Sequence, residues 1–261
     1  EFEAAVLPEQ RCYLPSRVEE STEKVLALLE MLGVHATFFI VGQIAEDHPQ
    51  LVHQINKAKH EIACHSYRHE LVSGQTPEEF RGDIRRAKAI LEDLTGERVL
   101  GFRAPNYSIG EAQGWAYGIL LEEGFAYDSS VYPIIHDRYG YPDAPRFPYA
   151  IRVEDCKQLI EFPISTVRIG GINIPIGGGG YFRLLPTNLF QRGIHYVNER
   201  EKQPVMFYFH PWELDLHQPN PPMPFRHRFR HYVGIEKQEA KLFRLLRHCR
   251  FGTVKDVLGL Q

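Results

Sequence analysis

The chain has 261 residues, 43% apolar and 24% charged, a balance that buries a sizeable core, excludes disordered and fibrous classes, and matches the roughly 250 residues of a barrel of alternating strands and helices. Thirty basic against 33 acidic side chains leave a net charge of −3, so no global basic field draws nucleic acid. No apolar run approaches the roughly 18 residues of a transmembrane segment, no signal-peptide pattern opens the chain, and four scattered cysteines (Cys12, Cys64, Cys156, Cys249) favour a reducing, cytoplasmic setting over a disulfide framework.

Glu19 to Leu32 has apolar residues at helical spacing and stops at Gly33. Residues 36–41 are continuously apolar, as in a strand covered on both faces. A helix over 43–58 and a strand at Glu61–Cys64 follow, the strand running straight into His65. Thr76-Pro77-Glu78-Glu79 combines a capping box with proline at the first helical position, and Phe80, Ile84, Ala87, Leu91 and Leu94 form the stripe of that helix up to Gly96. Further strands are expected at 99–103, 125–127, 159–162, 204–209 and near Thr253, with helices at 111–123, 187–200 and 235–248. Two long loops, 132–150 and 211–230, interrupt this order and are rich in Pro, Tyr, Arg and His. Loops of that length inside a domain are usually functional. The alternation predicts one α/β domain, 1–261, built on a parallel sheet with its chemistry at the C-terminal strand ends.

Polar residues do collect at those ends. His65 and His69 follow one strand, Arg103 ends the next, Asp128 the next, and His210 terminates the apolar strand 205–209. His65 and His69, four apart, are read as lying on one face of a helical turn, where both could ligate one divalent metal. Spacing alone is weak support, because 13 histidines in this length give about 0.6 such pairs by chance. A second pair, His227 and His231, lies in Arg226-His-Arg-Phe-Arg-His231 and reads as a solvated basic loop or as a contact for an anionic ligand. Arg103 could be an ion-pair partner of Asp128, and His210 a strand-end histidine bonded to the backbone, with Pro211-Trp212-Glu213 a turn. Gly177–Gly180 lacks the phosphate-loop pattern and suggests a tight turn or close backbone approach instead. There is no GxSxG elbow for serine hydrolysis.

Taken together, Thr37-Phe-Phe39, His60-Glu-Ile-Ala-Cys-His65-Ser-Tyr-Arg-His69, Gly101-Phe-Arg103-Ala-Pro105, Tyr127-Asp-Ser-Ser130 and Phe209-His210-Pro-Trp-Glu213 resemble the polysaccharide deacetylase superfamily (NodB homology domain). The match runs in order over nearly the whole chain, with Lys59 where a Gly is usual before His60. His136-Asp-Arg-Tyr-Gly140, Gly178-Gly-Gly-Tyr-Phe-Arg-Leu-Leu-Pro186 and Phe229-Arg-His-Tyr-Val-Gly234 resemble a subgroup linked to exopolysaccharide loci. The resemblance implies a distorted (β/α) barrel of about seven units and hydrolysis of an N-acetyl group on a sugar. It implies His65 and His69 as ligands of a divalent metal, most simply Zn2+. It also implies Arg103 as the residue positioning the base, His210 as general acid and Asp128 as an orienting residue. Pro105, Tyr107, Tyr181 and Trp212 would face an N-acetylated carbohydrate of a polysaccharide or lipid-linked oligosaccharide. Deformylation or cyclic-amide opening of a small molecule, and carbohydrate binding without catalysis, are the rival readings. The family's aspartate segment, Asp-Asp or Asp-x-Glu-Asp, which supplies the base and the third ligand, does not precede Phe2. Glu1-Phe2-Glu3 aligns with the positions directly after it, so the sequence reads as a barrel whose first strand is missing, or one whose first two residues are a cloning remnant.

Overall fold

In the computed structural model, which describes residues 16–136, 139–153 and 158–260, strands and helices alternate through the first half of the chain. Helix α1 (Val18–Leu32) ends where Gly33 takes a left-handed φ of 62°. Strand β1 (Thr37–Ile40) follows. The helix expected over 43–58 is two, α2 (Gly42–Asp47) and α3 (Pro49–Lys57), because Pro49 lacks an N–H and forces His48 out of helical geometry. Strand β2 (Glu61–Cys64) is buried at every position. Helix α4 (Pro77–Thr95) has the full capping box: the Glu79 N–H donates to Thr76 Oγ1 and the Thr76 N–H donates to Glu79 Oε2. Its buried stripe is Phe80, Ile84, Ala87 and Leu91, with Leu94 packed at the margin.

Beyond it lie β3 (Gly101–Phe102), α5 (Trp115–Glu122), β4 (Tyr127–Asp128), β5 (Tyr149–Arg152) and β6 (Gln158–Glu161). The sheet order is β1-β2-β3-β4-β6-β5, parallel throughout except for β5 against β6. A hairpin of β7 (Thr166–Ile169) and β8 (Ile172–Pro175) stands apart; neither it nor helix α6 (Gly179–Leu184) was anticipated by hydrophobic period. The chain continues through α7 (Thr187–Tyr196), a π turn at Val197–Glu201 and a 3-10 turn at Pro211–Leu214 to α8 (Phe225–Tyr232), α9 (Gln238–His248) and α10 (Val254–Leu258).

Three expectations give way. Residues 204–209 form one bridge, Gly178 with Tyr208, in place of the expected strand, so among the described residues the barrel-like α/β fold is distorted, with its sheet left open. Residues near Thr253 begin a helix, because the Thr253 hydroxyl accepts from the Asp256 N–H as an N-cap. The second long loop holds α8. Cys12, Cys156, Glu1–Glu3, Asp137 and Arg138 lie outside the described residues.

One core cluster fills the space between β2, β3 and helices α3, α4 and α5. A second joins Val25, Leu28 and Leu29 of α1 to Phe182, Phe190, Leu242 and Leu245 from the other half of the chain. Within the glycine run, positions 177–179 leave no room for a side chain: a Cβ on Gly178 would lie 2.0 Å from the Tyr208 carbonyl oxygen, and one on Gly179 2.4 Å from the Tyr208 hydroxyl. That close approach lets Gly177 O accept from the Tyr208 N–H at 2.7 Å. The segment leading into His210 is thereby set in place.

Candidate functional site

The strand ends open into one cavity of about 1950 Å³, lined by His65, His69, Arg103, Tyr107, Tyr181, His210 and Trp212. It continues between β1 and residues 205–209. The sheet carries His65 and Arg103 there, each just past the last residue of its strand, and the other residues arrive on the turns and short helices around them.

His65 follows Cys64 directly, and the turn after it is not helical, contrary to the expectation of one helical face. Ser66 and His69 adopt left-handed φ values of 62° and 59°. The turn is pinned by Asp83 of α4, whose carboxylate accepts from the Tyr67 N–H at 2.6 Å and the Arg68 N–H at 3.1 Å, while the His69 N–H donates to Ser66 Oγ at 2.9 Å. The two imidazoles end with centroids 5.0 Å apart. Lys59, where the family usually has glycine, also has positive φ, 60°, which is the backbone conformation that favours glycine there.

His65 Nδ1 lies 2.7 Å from the Arg103 carbonyl oxygen, so it is the donor and Nε2 keeps its lone pair. This is the arrangement of a metal-ligating imidazole fixed by a backbone carbonyl. Burial, reinforced by His69 nearby, pushes the His65 pKa down to about 3, leaving the neutral form that ligation requires. The pair therefore fits two positions of a divalent-metal site. Among the described residues no group of three or more His, Cys, Asp or Glu converges, so these residues would offer such an ion two ligands.

Arg103 is buried, with its guanidinium donating to Ser129 O at 2.9 Å and Ser129 Oγ at 2.8 Å and lying 4.1 Å over the Phe39 ring. Its support is Ser129, not the anticipated ion pair with Asp128. Asp128 is fully buried and is not among the residues lining the cavity: it stands behind the site, where it can only orient other groups. There it accepts from Ser130 Oγ at 2.6 Å, and that hydroxyl also accepts from the Ala104 N–H at 2.8 Å. Its Oδ2 and the Oε2 of Glu161 are buried without a donor from elsewhere, on residues in register across β4 and β6.

Two buried carboxyls side by side hold one proton between them. Burial raises the Asp128 pKa to about 6; burial, and then Asp128 itself, raises that of Glu161 well above the carboxylate range. The folded pair binds more protons than the unfolded one above the ordinary carboxylate pKa of about 4, so its contribution to stability falls as pH rises from there through the raised values. Glu161→Gln replaces the shared proton with a fixed N–H donor. We expect it to flatten that decline and to raise the thermal midpoint above about pH 7 relative to wild type, as read by thermal melts across pH; parallel curves for the two proteins would refute the shared proton.

His210 is half-exposed, and its Nδ1 lies 3.0 Å from Oε1 of fully buried Glu213. Glu213 in turn accepts from Gln238 Nε2 at 2.7 Å, with Arg183 Nε at 3.8 Å. Sequence alone places Glu213 in a turn after His210. The signal was present, since His210-Pro211-Trp212-Glu213 has proline at the first position and an acid at the third of a short helix, and the Glu213 side chain does reach back to the His210 N–H at 3.1 Å.

Tyr107 is placed by the consecutive left-handed residues Asn106 and Tyr107, φ 50° and 55°, after buried Pro105, whose neighbours Ala104 and Asn106 rather than itself line the cavity. Such strain in non-glycine residues concentrates where a site requires it. Tyr107 packs edge-on against Tyr132, Tyr139 and Tyr208 at 5.3–5.7 Å. Trp212 stacks on His231 at 4.4 Å, lies nearly parallel to His210 at 5.6 Å and has the Arg183 guanidinium 4.7 Å from its centre. Its ring therefore anchors the surroundings of His210, leaving the tyrosines as the larger aromatic lining. His231, expected in a solvated loop, is half-buried in this stack.

Residues 12–116 match the family Polysaccharide deacetylase, and residues 129–259 match a domain of unknown function, DUF3473. Among curated proteins the chain is 26% identical over 148 residues to a peptidoglycan deacetylase of Helicobacter pylori, covering 57% of this chain and 46% of that protein. It is 36% identical over 98 residues to a peptidoglycan-N-acetylglucosamine deacetylase of Bacillus cereus, covering 37% of this chain and 36% of that protein. The alignments thus span less than half the length of these relatives. Its fold matches that of the PuuE allantoinase with a TM-score of 0.61 at 19% identity, over 95% of this chain and 72% of the other. Residues 12–116 belong to the polysaccharide deacetylase superfamily, and residues 129–259, half of the chain, belong to DUF3473.

Proposed function

We propose that the protein is a divalent-metal-dependent hydrolase that removes the N-acetyl group from a sugar of a polysaccharide or lipid-linked oligosaccharide. The observation that carries this reading is the opposition of two kinds of histidine in one cavity. His65, neutral and oriented by a carbonyl beside His69, suits ligation; His210, backed by the Glu213 carboxylate, suits proton donation.

An amide is a poor electrophile and its amine a poor leaving group. When bound at His65 and His69, Zn2+ or a similar ion would supply Lewis-acid polarisation of the acetyl carbonyl and activation of the attacking water. The chain's described residues serve the leaving group and the orientation of the site; the base that takes the water's proton is not among them. Glu213 holds His210 Nδ1–H, so Nε2 is the position from which a proton passes to the departing nitrogen. The same carboxylate stabilises the imidazolium while it carries that proton. Arg103, fixed by Ser129, keeps the carbonyl that orients His65 in place and sets a positive charge at the cavity wall. The tyrosines supply apolar faces for sugar rings. The exopolysaccharide assignment of the substrate and the cytoplasmic location belong to the same proposal; Cys64 and Cys249 are both free thiols.

The test is acetate release from chito-oligosaccharides and from acetylated exopolysaccharide by the full-length gene product, with Zn2+ added and then chelated. Metal-dependent acetate release supports the proposal. Activity confined to N-formyl or cyclic amides selects the small-molecule reading, and carbohydrate binding without release selects a non-catalytic role.

A further inference from the structure

The acidic residues of this net-negative protein are absent from one stretch. Between Asp215 and Glu236 there is none, while Arg226, Arg228 and Arg230 and three histidines occur there. Helix α8 lies within it. Phe225 is 80% exposed and Phe229 is 50% exposed, one helical turn apart with ring centroids 6.4 Å from each other. At 100° per residue, Arg226 and Arg228 flank the phenylalanine stripe on either side.

This exposure is built. Prolines 219, 221, 222 and 224 stiffen the approach. The Arg183 guanidinium donates to the carbonyl oxygens of Arg230 and His231, both at 2.9 Å, satisfying the last turn of the helix. His231 stacks on Trp212, and Tyr232 Oη donates to Pro219 O at 2.5 Å. The inner side of α8 is thus tied to the group that holds His210, which leaves the phenylalanines facing out. The stripe reaches the cavity at its Phe229 end: Phe229, Arg230 and Leu184, itself 52% exposed, line it.

We propose that α8 is a membrane-docking helix that seats the cavity mouth on an anionic lipid surface, where the N-acetylated sugar is presented. An aromatic stripe flanked by cations matches the boundary between acyl chains and anionic headgroups. An anionic polysaccharide would pair with the arginines and stack on part of the phenylalanine faces, whereas the acyl boundary of a bilayer buries both rings. The helix lies on the bilayer without crossing it, and among the described residues no helix is long and apolar enough to cross. The sugar-presenting part of the proposal rests on the deacetylase reading; vesicle binding does not, so the two fail separately.

The experiment is co-sedimentation of the full chain with large vesicles of phosphatidylcholine, with or without one third phosphatidylglycerol. Binding to the anionic vesicles is expected, with loss at high salt. Arg226→Glu changes the local charge by two and is expected to weaken partitioning roughly thirty-fold, and Phe225→Ser several-fold. Neither side chain lines the cavity, so acetate release from a soluble oligosaccharide is expected to be unchanged in both variants. Absence of binding to anionic vesicles overturns the proposal. So does binding that Phe225→Ser leaves intact, and so does polygalacturonate binding without vesicle binding, which would assign α8 to a polysaccharide.

Discussion

His210→Ala is expected to lower kcat for deacetylation by roughly 10²–10⁴, the range contributed by a positioned general acid, with KM nearly unchanged because the ring is half-exposed and supports little of the fold. The companion variant Glu213→Gln separates donation from packing. It keeps the shape of the side chain and an acceptor for Gln238 Nε2 or His210 Nδ1, but it removes the charge that stabilises the imidazolium. A fall in kcat of about 10-fold or more with unchanged KM is expected, by the logic of a carboxylate that orients a catalytic histidine. Steady-state kinetics on a defined N-acetylated oligosaccharide, with circular dichroism to confirm folding, decides it. Wild-type turnover in His210→Ala would remove this residue from the chemistry.

The second large effect is His65→Ala. Loss of one of two imidazole ligands is expected to lower Zn2+ affinity by at least 100-fold, comparable to the upper range for disturbing even the outer partners of a metal ligand, and to abolish turnover. Calorimetric titration with Zn2+ reads the affinity without depending on activity. Because burial pushes the His65 pKa down to about 3, protons compete little for this ligand at mildly acidic pH. Turnover by His65→Ala at the wild-type rate would sink the metal role.

How much of the site was legible can be judged residue by residue. His65 and Arg103 were readable because each directly follows a strand, and parallel strands deliver their C-terminal ends to one face, while His69 was readable from its spacing to His65 and His210 from the apolar run just before it. Their common cavity follows from that topology. Asp128 shares the position yet lies behind the face, because the side chains of successive strand residues point to opposite sides. Its true partner, Glu161, is 33 positions later in the sequence and meets it only through the β4–β6 register. Glu213 carried a local signal, the proline-acid spacing of a helix start, but nothing local shows that its carboxylate is buried between His210, Arg183 and Gln238. Trp212 was readable as an aromatic beside the acid; that His231 would cover it depended on α8 folding back across Arg183.

The sequence by itself determined those features whose cause lies within a few residues. The capping box at Thr76, the helix stop at Gly33, the buried run Glu61–Cys64 and the order of polar strand ends all depend on neighbours three or four positions away. Only the tertiary structure decided the rest: the non-helical turn of His65 to His69 held by Asp83, the glycine run pressed on Tyr208, the open sheet, and the outward stripe of α8. Each of these comes from a contact between segments far apart in the chain, where sheet register and side-chain packing choose among local conformations whose intrinsic preferences differ by little more than about 1 kcal/mol per residue.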